Sequence, residues 1–445
     1  MKKQTRTLPR LPLAALLIIL LATLLGACGG DAEKKEAASA PVLPPVNPAN
    51  LVSFTDQDWT AGQIKGQAVI QPAADESDIT EYRLYWGQDA ATKLATDSAV
   101  VDVLAVGAGT SFAGFAKNTP LPAGATHLLV FTANSGGEME TGIAAPISDY
   151  IIPPKAYVAN SGNNTVSVID TATDTIEAVI NVGLFPVGVA MNSEGTRAYV
   201  TNFSGANVSV IDTVTNTVAA TVSVGNSPRG VAITPDESKL LAVNYSSDSV
   251  TVINTADNTV LTTITVQDCP RYAAILPDGS KAFVTNEIST TVSVIDMSTL
   301  TVVNTISGFS QPYSIAASAS GNKVYVGDLA AYSVAIINTL TETISATPST
   351  AGQAMGMAIS PNGSELWVST LGANIIHVFS TATDAELASI TVTGSPFGLA
   401  FMPDGSKAYS SMFNGNTVTV LDAATRTTLK TIGGLAGPQG VAMRY

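Results

Sequence analysis

The chain has 445 residues, 46% hydrophobic but only 13% charged, and Asp+Glu outnumber Lys+Arg by 35 to 21 for a formal charge of −14. That excludes a disordered chain and a highly charged coiled coil. Four of the basic residues (Lys2, Lys3, Arg6, Arg10) precede Leu11 and leave the rest near −18, a body that repels phosphate backbones, so no nucleic acid is expected as a partner. The two His (His127, His377) and two Cys (Cys28, Cys269) are too few for a multi-His or CxxC metal site or a C-x-x-C-H haem attachment, so neither metal nor cofactor is expected.

Residues 1–27 read as a secretory signal: a basic start, then the apolar run Leu11–Leu25, too short for a comfortable membrane span. The run ends in Leu25-Gly26-Ala27-Cys28, which resembles the lipobox of bacterial lipoproteins. The resemblance implies cleavage before Cys28, lipidation of that residue, and a place in the bacterial cell envelope, at the outer membrane or cell surface. Several acyl chains make a stable anchor where one is marginal. Residues 28–50 then supply the lipidated Cys and a Pro-rich tether. From Gly29 on it would reach at most roughly 75 Å when fully extended.

Residues 51–152 alternate in short runs separated by turn residues, the pattern of a small β-sandwich. Strands are expected over 62–70, 79–86, 127–132 and 138–147, with turns at 120–124 and 134–137. ITEYRLYW and LPAGATHLLVFTANSGGE are similar to the central and late strands of a fibronectin type III domain, although His127 stands where that family usually carries Tyr. Trp59, Trp86 and His127 are expected to be core or corner packing.

From Lys155 the chain is one repeat. KAYVAN at 155 returns as RAYVTN at 197, KLLAVN at 239, KAFVTN at 281, KVYVGD at 323, ELWVST at 365 and KAYSSM at 407, always 42 residues apart. Each unit holds four strand-length runs separated by Asn, Asp, Gly and Pro, so the expected fold class is all-β, a seven-bladed β-propeller over residues 153–445. The repeat resembles that of YVTN-repeat propellers of microbial surface proteins. Space is tightest at the axis, so the small-residue runs after the recurring Pro (Gly188-Val-Ala190, Gly230-Val-Ala232, Gly398-Leu-Ala400, Gly440-Val-Ala442) are expected innermost. The last of these should complete the blade that begins at Lys155 and close the ring.

Aligned columns separate scaffold from function. Asp170, Asp212, Asn254, Asp296, Asn338, Ser380 and Asp422 are expected to cap turns. The same is expected of Asn160, Asn202, Asn244, Asn286 and Asp328. Lys155, Arg197, Lys239, Lys281, Lys323 and Lys407 are expected as solvated turn charges. His377 shares a polar column with Ser167, Ser209, Thr251, Ser293, Ala335 and Thr419 and is expected at the surface. No catalytic triad, phosphate loop or zinc-protease motif can be nominated.

Symmetry breaks after the recurring Pro. The next column reads Val187, Arg229, Arg271, Tyr313, Met355, Phe397, Gln439, and the one after it replaces Gly with Tyr272 and Ser314. Arg229, Arg271, Tyr272 and Tyr313, with Asp268 just before them, are therefore the candidate ligand-binding residues on one rim of the channel. Paired guanidinium groups suit an anion, and Tyr suits a sugar or aromatic ligand. The competing reading is an internal salt-bridge cluster of Arg229, Arg271, Asp248, Asp268 and Glu287, with Cys269 as a small apolar filler. Function is expected to be binding or scaffolding: a protein lipid-anchored at the cell envelope or surface whose propeller engages a protein, glycan or small ligand. A lactonase-like hydrolase, by likeness to propellers related to phosphogluconolactonase, and a structural envelope-layer component are the alternatives.

Overall fold

A computed structural model describes residues 43–49, 51–54, 63–95, 101–106, 111–147 and 154–444. Cys28 and Trp59 lie outside the described residues.

The small domain is two sheets over one core. Leu51–Phe54, Gln63–Gln71 and Ser111–Pro120 form one. Asp102–Ala105, Glu81–Gly87, His127–Asn134, Gly137–Glu138 and Ile143–Pro146 form the other. Ala68 and Ile70 of the first meet Tyr82, Leu84, Trp86, Leu128 and Val130 of the second. Trp86 is core, as expected, whereas His127 is only half-buried at a strand start, beside Thr126 Oγ1. The strand expected over 138–147 is broken in two.

Some of the residues expected in the tether pack against the sandwich. Ala49 is buried in the sandwich core, Asn47 C=O accepts from Thr132 Oγ1 at 3.0 Å, and Leu43 C=O accepts from Asn134 Nδ2 at 3.0 Å. Residues 43–49 thus belong to the packed domain.

Residues 154–444 form seven four-stranded antiparallel sheets. Blade 1 pairs the C-terminal strand Pro438–Arg444 with Lys155–Asn160, followed outward by Thr165–Asp170 and Thr175–Asn181. The other six run from the axis outward in chain order, with inner strands Pro186–Met191 (blade 2), Pro228–Ile233 (3), Pro270–Ile275 (4), Pro312–Ala317 (5), Gln353–Ile359 (6) and Pro396–Phe401 (7). The ring therefore closes through its last strand, as the repeat frame predicts.

Glycine explains the tight axis. A Cβ on Gly230 would sit 2.7 Å from the Arg271 carbonyl oxygen, and Gly188, Gly356, Gly398 and Gly440 face neighbouring backbone still more closely. Where Ser314 replaces Gly, the facing position on the next strand of that blade is Gly327, which makes room for the Ser314 hydroxyl. Each inner strand also carries a register shift just after its first residues, between Pro186 and Val189 for example. Such a bulge re-aims side chains, and it is where Arg229, Arg271 and Tyr313 stand.

The turn-cap column behaves as expected: Asp212 Oδ1 accepts from Val214 N (3.0 Å) and Thr215 N (2.8 Å), and Asp170, Asp296 and Asn338 repeat the pattern. In the next column only Asp328 caps backbone as expected, accepting from Ser310 N, Gln311 N and Ala331 N. Asn160, Asn202, Asn244 and Asn286 are buried, and each Nδ2 donates across its own hairpin, as Asn244 does to Ser249 Oγ (3.2 Å) and Thr251 Oγ1 (2.9 Å). That pairing buries the partner column too. His377, whose blade has Thr370 at the Asn position, is not at the surface either: it is 4% exposed, with Nδ1 2.7 Å from Glu386 Oε1 and Nε2 accepting from Ala351 N at 3.1 Å. Nor are the column's lysines simply solvated turn charges. Lys281, Lys323 and Lys407 pair with Glu342, Asp384 and Asp174 on the neighbouring blade, and Lys155 is buried against Asp170 and Glu177.

Candidate functional site at the channel mouth

The loops between second and third strands rise beside the inner-strand bulges. Tyr245 N donates to Ser227 C=O (3.1 Å) and Glu287 N to Cys269 C=O (3.0 Å), so both loop and bulge form the same rim. The repeat column Ser161, Phe203, Tyr245, Glu287, Leu329, Leu371, Phe413 crowns these loops.

The two arginines sit in different environments. Arg271 is tied down: its Nε and Nη2 both donate to Glu287 Oε2, and Glu287 Oε1 accepts from Gln311 Nε2 at 2.7 Å. Glu287 is 5% exposed. Arg229 has aromatic neighbours instead of an acid. Its Cζ lies 4.6 Å from the Phe203 ring centroid and 5.1 Å from that of Tyr245, and its Nε is buried without an acceptor. Tyr245 is shared, with Arg271 Cζ 4.5 Å from its centroid. Burial first, and then the like charge of Arg271, pull Arg229 below the ordinary guanidinium value, though a group so basic stays cationic.

The opposite arc is apolar. Tyr313, Leu329 and Met355 form a buried cluster with Tyr272, Leu371 and Phe397 packed against it. Tyr313 and Phe397 start inner strands of blades 5 and 7, two apart around the ring, yet their rings meet edge-on at 6.4 Å. Tyr272 stacks obliquely on Tyr313 at 5.6 Å, and Arg271 Cζ lies 4.7 Å from the Tyr313 centroid. These side chains reach over the axis. Burial pushes the hydroxyls of Tyr272 and Tyr313 above their usual range, so both are neutral donors. A cavity of about 140 Å³ lies against this cluster, lined by Val189, Val231, Tyr272, Ile315, Met357 and Leu399 among others.

Four of the five expected site residues, Arg229, Arg271, Tyr272 and Tyr313, therefore meet at the mouth. Asp268 does not join them: its side chain is exposed, its N–H donates to Ser289 Oγ at 2.8 Å, and no ion pair joins it to either Arg among the described residues. Asp248 likewise turns to backbone, accepting from Cys269 N at 2.8 Å. The salt-bridge reading thus holds for Arg271 and Glu287 and fails for Arg229. Cys269 is half-buried and its thiol lies beside the Tyr245 hydroxyl, whose value burial, and then this thiol, raise. The residues not foreseen are Phe203, Tyr245, Gln311, Leu329 and Leu371. For all of these but Gln311, the loop column starting at Ser161 carries the signal, because it breaks symmetry on the same blades. Among the described residues, no group of three or more His, Cys, Asp and Glu is placed to hold a metal.

Residues 261–444 match the family model of the lactonase seven-bladed β-propeller. No curated protein matches the chain. Among solved structures, the hydrazine synthase of Kuenenia stuttgartiensis is 21% identical, with a TM-score of 0.54 over 57% of this chain and 88% of that one. A functionally unknown protein from Desulfotomaculum acetoxidans is 19% identical, TM-score 0.58, over 65% of this chain and 99% of its own. The dihydro-heme d1 dehydrogenase NirN, in complex with DHE, is 14% identical, TM-score 0.51, over 65% and 74%. At these identities the likenesses establish architecture: this chain carries a seven-bladed β-propeller, four blades of which match the lactonase propeller model.

Proposed function

We propose that the chain is a binding protein anchored at the bacterial cell envelope through Cys28, and that its propeller takes a small ligand at the mouth formed by Arg229, Arg271, Tyr272 and Tyr313. The observation that carries this reading is Arg229, whose Nε is buried without an acceptor and which forms no ion pair among the described residues, on a rim whose other cation is paired with Glu287. Buried polar groups without partners are costly and cluster at functional positions. The sandwich and the remaining tether would hold the ring clear of the bilayer. A panel of sugars, carboxylates, phosphates, aromatic amides and lactones, titrated against the detergent-solubilised full chain, tests the reading. Ligands should lose affinity in Arg229→Ala or Tyr313→Ala. Hits indifferent to every rim substitution would place the site elsewhere. Cys28→Ser should release the protein from membranes or leave it unprocessed; unchanged fractionation with an unlipidated wild-type N-terminus would refute the anchor.

A second reading, a lactonase-like hydrolase, is favoured by the family match across residues 261–444, which include Arg271, Tyr272, Glu287 and Tyr313. Turnover on ester and lactone panels that vanishes in Arg271→Ala would establish it over binding alone.

A further inference from the structure

Resting on the binding reading above, we infer that the channel mouth is selective for a monoanion with an apolar body, an aromatic or aliphatic carboxylate, with its charged end on Arg229 and its body against the Tyr313–Phe397 arc.

The first argument is charge. Arg229 and Arg271 contribute two positive charges, and Glu287 removes one by pairing with Arg271. Asp248 and Asp268 face backbone and solvent and, among the described residues, form no ion pair with either Arg. The mouth therefore carries one uncompensated positive charge, and a monoanion balances it. A phosphate monoester brings close to two charges, and the second would sit beside Glu287 and the apolar arc with nothing opposite it. Buried charge without a partner is strongly disfavoured.

The second argument is geometry. Phe203 and Tyr245 stand within about 5 Å of the Arg229 carbon and occupy its surroundings with π surface. What the guanidinium still has to offer is its donors, and a carboxylate matches their spacing in a two-pronged hydrogen bond. The third argument is the wall opposite. Tyr272, Met355 and Phe397 of that cluster line, with no carboxylate among the lining residues, a cavity of about 140 Å³, close to the size of apolar cavities that hold one benzene. A free inorganic anion would leave that surface unused. A neutral ring would leave Arg229 unpaired.

The test uses the detergent-solubilised full chain and four probes: benzoate, phenylacetate, benzamide and phenyl phosphate. The carboxylates should bind, and tighter than benzamide and phenyl phosphate. Arg229→Gln should weaken them about thirty- to two-hundredfold, the scale of a lost charge-assisted hydrogen bond, while leaving benzamide unchanged. Glu287→Gln frees Arg271 and raises the local charge by one, so it should shift preference toward phenyl phosphate. Each variant's melting temperature reports whether it has folded, and Arg229→Lys, which keeps charge but loses the fork, should recover only part of the benzoate affinity. Phenyl phosphate or benzamide binding the wild type better than benzoate, in an Arg229-dependent way, would overturn the monoanion assignment while keeping the rim as the site. Benzoate binding untouched by Arg229→Gln would overturn both. No binding by any of the four would overturn the ligand class and leave the rim reading to the sugars and lactones of the wider panel.

Discussion

Arg426 Nη2 donates to Glu365 Oε1 at 2.6 Å, and this ion pair is the charge-reversed copy of Lys281–Glu342, Lys323–Asp384 and Lys407–Asp174. In each, the residue opening a blade's second strand reaches the left-handed turn residue of the next blade's outer hairpin. One position has exchanged its signs and kept its contact, so the contact itself is what the blades share. The side chains of Glu365 and Arg426 are 22% and 29% exposed, where a pair contributes about 0.5–1 kcal/mol. Arg426→Glu and Glu365→Lys should each lower stability by about 1 kcal/mol. The double reversal should recover most of the charge effect but not the bond that Glu365 accepts from Trp367 Nε1. Urea unfolding of all four proteins measures the coupling; a double mutant equal to the sum of the singles would show no interaction.

Ring closure gives a larger effect. Deleting Pro438–Arg444 uncovers the edge of Lys155–Asn160 and removes one of seven inner strands. Unpaired edges invite association, and the lost sheet should cost several kcal/mol of a total that is about 5–15 for typical domains. The truncated chain should aggregate or melt far lower. Because Arg444 pairs with Lys155 in register, the same segment moved ahead of Lys155 and joined by a short hairpin turn should restore the melting temperature. A truncation as stable as the full chain would refute closure by this strand.

The repeat period made the ring and its closure legible, because 42-residue spacing fixes blade number and phase without reference to any contact. It also picked out Arg229, Arg271, Tyr272 and Tyr313, which the fold brings together. What it hid was partnership. Nothing in the column Ser167, Ser209, Thr251, Ser293 says that each hydroxyl lies beneath a buried Asn amide, so His377 read as surface when it is core. Likewise Arg229 and Arg271 are equivalent in the repeat, and only the loop residues above them, Phe203 and Tyr245 for one and Glu287 for the other, make one a free cation and the other half of an ion pair. Partners, within a blade as for Arg271 and Glu287 or between blades as for Arg229 and Phe203, are set by side-chain reach, which the one-dimensional period does not encode.

Two glycines should respond oppositely to the same change. A Cβ on Gly356 would collide with the Phe397 carbonyl of the next inner strand, backbone that cannot swing aside. Gly356→Ala should destabilise by about 1–3 kcal/mol, the scale of core overpacking. Gly433 has nothing within 4 Å of such a Cβ, and its φ is not positive. Gly433→Ala should be neutral or stabilise by up to about 1 kcal/mol by restricting the unfolded chain. Equal melting temperatures for the two variants would contradict the packing at the axis.

Stability should fall at both ends of the pH scale. Asp236 is held down to about 2 by hydrogen bonds from the Thr234 hydroxyl and from Ser238; turn N–H groups lower Asp170, Asp212 and Asp422, and the Ser298 hydroxyl, then turn N–H groups, lower Asp296. A depressed carboxylate stabilises the fold above its unfolded value, about 3.9, and the benefit is lost as pH falls toward about 2. Asp236→Asn should therefore lose less stability than wild type between these limits. At the alkaline end, burial raises Tyr157 and Tyr325 to about 12. Their neutral form is favoured in the fold, so this contribution is whole below about 10 and is lost as pH rises through about 12. Tyrosinate absorbance should then appear in two steps, exposed tyrosines first and the buried ones together with loss of sheet circular dichroism. A single ionisation near the free value, with the fold intact, would show that these hydroxyls are not sequestered between the blades.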